Sequence, residues 1–309
     1  MTAGVYLVLK DLTRLRHGAH GLGFLPMQPT HSVLAGRKRA RLRGRGLDFS
    51  ELRRYRPGDD IRAMDWRVTR RTGNPHVRIY AEERDRPVWL LIDQRLSMFF
   101  GSRHQMKSVA AGSAAALAAW GVLAVGDRVG ALLFNDQQQR LTPPSRSHTT
   151  TLGWLAQLVT MNNQLTAGRG QPSNAAGLAQ ALQALAPRLG HNGLVIIISD
   201  FDGWGDDCLK TLKAIRRNND IIATVISDPM ERDIVTAHKL VASDGQHQLE
   251  IDAQRSSTAT RFRADFQQRF GQLSATLKRH GIPVIPLSTE SDITLQLHRQ
   301  LGASLTDRR

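Results

Sequence analysis

The chain has 309 residues, is 41% hydrophobic and carries a formal net charge of +15. Its size and apolar content support a packed core, exclude wholesale disorder, and leave room for one large domain plus a smaller appendage. A single cysteine, Cys208, excludes an internal disulfide and fits a reducing compartment. The charge is uneven: residues 1–86 hold 19 Lys and Arg against 9 Asp and Glu, a surplus of ten, and the other 223 residues have a surplus of five. Such asymmetry points either to an anionic partner (nucleic acid, acidic lipid, an acidic protein face) or to a solvated basic surface.

Residues 5–16 place Val5, Val8, Leu9, Leu12 and Leu15 on one face of an expected helix. The five-residue apolar run before Lys10 is too short for a signal-peptide core. Between Gly36 and Gly46 six basic residues occur with no acid, and the glycines at both ends predict a mobile basic loop. From Leu47 to Arg86 both signs of charge interleave with Phe49, Leu52, Tyr55, Ile61, Met64 and Trp66. This predicts an ordered, ion-paired module: Pro57-Gly58 sets a turn, Asp59, Asp60 and Asp65 pair with Arg53, Arg54 and Arg62, and Trp66 fills the interior. Val77 to Ala81 alternates as a strand should.

Val88 to Ile92 is an apolar run ending in Asp93, with Ser97 just beyond. A buried strand that delivers a carboxylate at its C-terminal end is how open α/β sheets build sites. An Ala-rich helix is expected over Lys107–Val125, a strand over Arg128–Phe134 and a short one over Gln139–Leu141. Helices follow over Thr149–Val159 and Ala175–Leu189, separated by a polar loop. Strands Leu194–Ile198 and Ile221–Ile226 flank a helix over Asp206–Asn218 and run into Asp200 and Asp228. A hairpin over Lys239–Ala242 and Gln248–Ile251, a helix over Ser257–His280 and a strand over Pro283–Leu287 complete the pattern. Alternating strands and helices predict a doubly wound, mostly parallel sheet with carboxylates along one rim. The near-apolar stretch 110–125 falls short of a bilayer span, so we expect no integral membrane segment and a cytoplasmic protein.

The stretch GRGLDFSELRRYRPGDDIRAMDW, with Gly46, Phe49, Arg53, Tyr55, Gly58, Asp59, Arg62, Asp65, Trp66, Arg71 and Gly73 at matching spacing, resembles the bacterial domain-of-unknown-function fifty-eight family. These are von Willebrand factor A-like proteins often encoded beside MoxR-type AAA+ ATPases. The resemblance covers roughly residues 36–290. It implies a von Willebrand factor A-like fold, no known catalytic activity, and a role with the ATPase in assembling or maturing a client protein.

The resemblance also implies a place for a metal-ion-dependent adhesion site, built from a DxSxS motif, a distant Thr and a further Asp as hard oxygen ligands for Mg²⁺. Here the motif reads Asp93-Gln94-Arg95-Leu96-Ser97, Ala176 stands at the Thr position with Ser173 nearby, and Asp200 matches the last Asp. We expect no cofactor: Arg95 takes the metal's place by donating to Asp93 and Asp200, since its fork fits carboxylates. A metal, if bound, would sit between Asp93, Ser97 and Asp200.

The remaining candidates read as structural. His76 and His104 lack metal-ligand companions. Ser97 lacks a base and is expected to cap the following helix, and Asp202 and Asp228 to cap helices or turns. No Walker, GxSxG or HExxH pattern occurs. The expected division is an N-terminal helix and loop (1–35), an Arg-rich signature module (36–86) and a von Willebrand factor A-like domain (87–300). The expected function is a non-enzymatic adaptor whose partners are a MoxR-type AAA+ ATPase and a client protein. The alternative is a nucleic-acid- or polyanion-binding protein acting through the 36–46 loop.

Overall fold

The computed structural model describes residues 4–22, 47–57, 59–82, 86–166, 174–233, 240–243, 248–251 and 256–306. The basic loop 36–46, Gly46, Gly58 and Ser173 lie outside them. The chain forms two units: residues 1–25 with 86–309, and residues 26–85.

Helix α1 (Leu9–Arg14) and the 3-10 turn after it (Leu15–Ala19) belong to the larger unit. Leu7, Leu12, Ala19 and Leu22 are buried in its core, so this segment is part of the α/β unit and not a separate piece. Val8 departs from the expected apolar face, being 53% exposed, because the helix begins only at Leu9 and helical spacing does not apply before it.

The smaller unit is a β-hairpin with a short helix across its connection. Strand β1 (Leu47–Arg54) runs antiparallel to β2 (His76–Glu82), with a bulge between Phe49 and Glu51. Arg53 Nη2 donates to Asp59 at 2.9 Å, and Asp59 also accepts the Arg56 N–H. That N–H first, with Arg53 after it, holds the Asp59 carboxyl below its ordinary value against the effect of burial. Asp60 accepts from the backbone N–H of Arg62, not from its guanidinium. Helix α2 (Trp66–Thr72) starts at Asp65, whose carboxylate accepts the N–H groups of Arg67 and Val68, and ends at Gly73 in the left-handed region. Tyr55 is half-buried, its N–H donating to Pro75 O. Trp66 corrects the expectation. It is 65% exposed and fills no interior, because the inward face of α2 is made by Val68 and Thr69.

In the larger unit β3 (Pro87–Asp93), β4 (Arg128–Phe134) and β5 (Gln139–Ser145) lie on one side of the sheet's midline. On the other lie β6 (Leu194–Ser199), β7 (Asp220–Ser227) and, after the separate hairpin β8 (Leu240–Ser243) and β9 (Gln248–Ile251), β10 (Val284–Ser288). The order is β10-β7-β6-β3-β4-β5, parallel throughout except for β5 at the edge. An edge is where Pro143 and Pro144 cost no central ladder bond.

Successive residues of a strand face opposite sides of the sheet. Val88, Leu90 and Ile92 therefore enter one core with α3 (Lys107–Ala124) and α4 (His148–Asn163), while Trp89 and Leu91 enter a second with α5 (Gly177–Leu185), α6 (Asp206–Arg216) and part of α8 (Ser256–Arg279). A four-residue helix, α7 (Pro229–Arg232), follows β7. The sequence pattern places nothing after Leu287; the structure adds α9 (Ile293–Thr306), whose Ile293 and Leu297 reach the first core.

Among the described residues α3 alone is long and apolar enough to cross a membrane, and 89% of that window is buried within the protein. Its Trp120 Nε1 donates to Leu12 O at 2.9 Å, which ties the N-terminal segment to the sheet's cover.

Candidate functional site

The strand order reverses between β3 and β6, and a crevice opens beyond the strand ends at such a switch point. Asp93 ends β3, Asp200 follows β6 and Asp228 follows β7. Three carboxylates thus reach one rim because parallel strands share one C-terminal edge.

Asp93 is fully buried. Arg95 Nε donates to both its oxygens at 3.0 and 3.1 Å, Arg95 Nη2 donates to Oδ2 at 2.7 Å, and Ser199 Oγ donates to Oδ2 at 2.6 Å. Burial raises the Asp93 carboxyl above its ordinary value, and the guanidinium only partly offsets this. Burial alone would lower Arg95; the charge and hydrogen bonds of Asp93 outweigh it and hold the guanidinium charged.

Arg95 is 1% exposed. Its Nη2 also donates to Asp202 O at 3.0 Å, its Nη1 to Asn174 O at 3.4 Å, and its Cζ lies 5.6 Å from the Phe134 ring centroid. Ala176, at the expected Thr position, is the residue before α5 and makes no side-chain cap. A Cβ on its neighbour Gly177 would sit 2.9 Å from Arg95 Cδ, so small residues there make room for the guanidinium stem.

The expected two-acid fork is not what forms. Arg95 donates to Asp93, while Asp200 stands 3.7 Å from Nη2 as an ion-pair neighbour. The cation hydrogen-bonded to Asp200 is Lys107, at 2.9 Å, which also contacts Glu231. Burial would lower the Lys107 ammonium, but Asp200 and then Glu231 hold it above its ordinary value. Burial in turn would raise Asp200, and Lys107 followed by Arg95 keeps it lowered.

Lys107 was absent from the expected site. Its signal in the sequence is a lone cation opening an otherwise apolar helix, at the end where the helix dipole disfavours it.

The ionic chain continues. Glu231 accepts the Asp228 N–H at 2.9 Å, and Asp228 accepts from Met230 N at 2.8 Å, which closes a capping box on α7. Asp228 also takes the hydroxyls of Ser102 and Thr289. Burial would raise its carboxyl; these two hydroxyls lead the contacts that hold it lowered. Asp228 thus takes the capping part expected of it, whereas Ser97 does not. Ser97 lies within a 3-10 turn (Leu96–Met98), its Oγ buried with no hydrogen-bond partner among the described residues, and α3 begins ten residues later. His76, the first residue of β2, has its Nδ1 2.7 Å from Asn74 O.

A divalent ion does not fit this donor set. Both oxygens of Asp93 face a guanidinium, Asp200 faces an ammonium, and Ala176 offers no ligand atom. Among the described residues no three His, Cys, Asp or Glu side chains converge as metal ligands.

Beside the rim lies a cleft of about 840 Å³. Lys107, Asp200 and Glu231 form one wall; Phe262, Phe266 and Phe270, four residues apart on α8, form the other. The β6–α6 loop shapes its end. Phe201 holds φ 58° and Gly203 φ 71°, both left-handed. A Cβ on Gly203 would fall 1.9 Å from Ala175 O. Gly203→Ala is therefore expected to destabilise the protein by about 2 kcal/mol. Thermal unfolding checks this, and an unchanged midpoint would show that the loop does not pack on residue 175.

A family model described as Protein of unknown function DUF58 matches residues 51–275. The chain belongs to this family. Relatives include the uncharacterized proteins Rv1480 of Mycobacterium tuberculosis (strain ATCC 25618 / H37Rv) and Mb1516 of Mycobacterium bovis (strain ATCC BAA-935 / AF2122/97). Each is 30% identical to this DUF58 chain over 274 residues, covering 86% of it and 82% of the relative. Similar solved structures include the conserved hypothetical protein BatB from Bacteroides thetaiotaomicron (9% identity, TM-score 0.39, 72% of this chain and 100% of that one). Another is a von Willebrand factor type A protein from Catenulispora acidiphila (12% identity, TM-score 0.30, 49% and 35% covered). The larger unit of this DUF58 chain has the doubly wound, mostly parallel sheet expected from the alternation of strands and helices.

Proposed function

We propose that the chain is a non-enzymatic interaction protein, a cytoplasmic adaptor that works with a MoxR-type AAA+ ATPase on the assembly or maturation of a client. The observation that carries this reading is the occupied switch point. Arg95 and Lys107 neutralise the carboxylates that relatives of this fold class would offer to a metal. What remains open is a surface, the cleft between the charged rim and the aromatic face of α8. A concave site with an aromatic wall and a few fixed charges suits a docked protein segment.

The test is purification of the full chain with a MoxR-type AAA+ ATPase, with and without EDTA. Phe266→Asp places a charge on the aromatic wall and is expected to weaken the complex at least tenfold, about 1.4 kcal/mol. EDTA is expected to leave it unchanged. A complex that needs divalent ion, or substrate turnover on adding one, would overturn the reading.

A further inference from the structure

The smaller unit carries a surface that the switch-point site does not use. At about 100° per residue, Trp66, Arg70, Arg67 and Arg71 fall within an arc of about 140° on α2. Val68, Thr69 and Thr72 take the opposite arc. The structure bears out that division: Thr69 Oγ1 accepts the His76 N–H at 3.0 Å, Thr72 Oγ1 lies 3.3 Å from His76 Nδ1, and Val68 is half-buried. The helix is therefore pinned to β2 by its small polar side and turns an indole and three guanidinium groups to solvent.

The described acids around it are engaged by other groups. Asp59 binds Arg53 and the Arg56 N–H, Asp60 the Arg62 N–H, and Asp65 the first N–H groups of α2. Asp65 also closes the helix end to an outside anion, so attraction here belongs to the side chains. Arg62, Arg67, Arg70 and Arg71 are all exposed, and Ile61 beside them in sequence is 59% exposed. Three hydrogen-bonded carboxylates and a left-handed Gly73 hold this seven-residue helix so that a tryptophan faces water.

The geometry points to an interaction surface centred on Trp66 that takes an acidic, partly apolar face of a partner protein. Tryptophan ringed by arginine is the composition of binding hot spots, where a buried aromatic anchor contributes most of the energy and the charges select the partner. An acidic protein fits better than nucleic acid. Ile61 adds an aliphatic contact that a phosphate backbone does not use, and base stacking calls for several aromatic platforms where this face has one among the described residues.

The test uses the full chain and three probes of equal charge: a peptide of glutamates interrupted by leucines, a glutamate-only peptide, and oligothymidylate. Trp89, Trp120 and Trp154 are buried and Trp204 is half-buried beside the cleft of the larger unit, so the measurements use a Trp204→Phe background, in which the quenchable tryptophan emission comes chiefly from Trp66. The leucine-containing peptide is expected to shift that emission to the blue and to protect it from acrylamide. Trp66→Ala is expected to weaken its binding at least tenfold with an unchanged unfolding midpoint, since no core is emptied. Arg70→Glu is expected to weaken it in a salt-dependent way. Phe266→Asp, in the cleft of the larger unit, is expected to leave this binding intact, which separates the two surfaces. No binding by the wild type, equal binding by Trp66→Ala, or a preference for oligothymidylate or the leucine-free peptide would each overturn the assignment.

Discussion

Arg95→Ala is expected to lower the unfolding midpoint by about 10 °C. Removing one partner of a buried pair costs about 3–5 kcal/mol, because the other charge stays behind without compensation. In a unit of this size each kcal/mol moves the midpoint by about 2–4 °C. Asp93 is fully buried and would keep only Ser199 Oγ and the Arg95 N–H. Its carboxyl, already raised by burial, would rise further and take up a proton.

The deficit should therefore shrink at acidic pH, where that proton is supplied freely. Replacing both partners, as Asp93→Asn with Arg95→Met, is expected to recover most of the loss, since neither charge is then stranded. An alanine variant as stable as wild type would show that the pair holds nothing together. Magnesium is expected to leave the wild-type midpoint where it is, and a rise would mean that an ion displaces the guanidinium.

Lys107→Met is expected to cost about 3 kcal/mol at neutral pH. The ammonium is the hydrogen-bonding cation of Asp200 and the link to Glu231. Without it, two acids share the rim with a guanidinium 3.7 Å from Asp200.

The pH dependence follows from the direction of one shift. Asp200 is held below its ordinary value of 3.8, so it stabilises the wild type above that pH. The contribution disappears as pH falls through the lowered folded value. In the methionine variant this stabilisation is missing from the start. The gap between the two proteins is thus widest near neutrality and closes below about pH 4. Midpoints measured from pH 3 to 8 check this, and a gap independent of pH would show that methionine fails by packing and not by charge.

The sheet was legible before the structure because its signals are local. An apolar run of strand length between turn residues reads as a buried strand wherever it occurs, and β3, β4, β6 and β7 are of this kind. Asp93 was legible at its strand end for the same reason, and Arg95 as its partner through the resemblance, which places an adhesion-site motif over Asp93–Ser97. Lys107 was not, because its partners Asp200 and Glu231 are 93 and 124 residues away and only the winding of the sheet brings them together. Ser97 does not cap the following helix, because α3 begins at Lys107, ten residues on and beyond the reach of its hydroxyl.

Trp66 shows the opposite kind of limit. An aromatic residue among charges reads as an anchor, and burial is the ordinary fate of such a residue. Whether an indole on a two-turn helix faces in or out depends on which arc lies on the neighbouring strand. That is set by the His76 N–H donating to Thr69 and by the contact between Thr72 and the His76 ring, which no spacing rule reveals.

The sequence by itself determined the alternation of strands and helices, the carboxylates at the strand ends and the arginine that meets Asp93, because each rests on neighbours in the chain. Tertiary structure alone decided that Lys107 neutralises Asp200, that an aromatic cleft opens beside them, and that Trp66 faces solvent. The first two are meetings of segments far apart along the chain, and the third turns on which arc of a short helix lies on the neighbouring strand. All three are governed by packing and not by local preference.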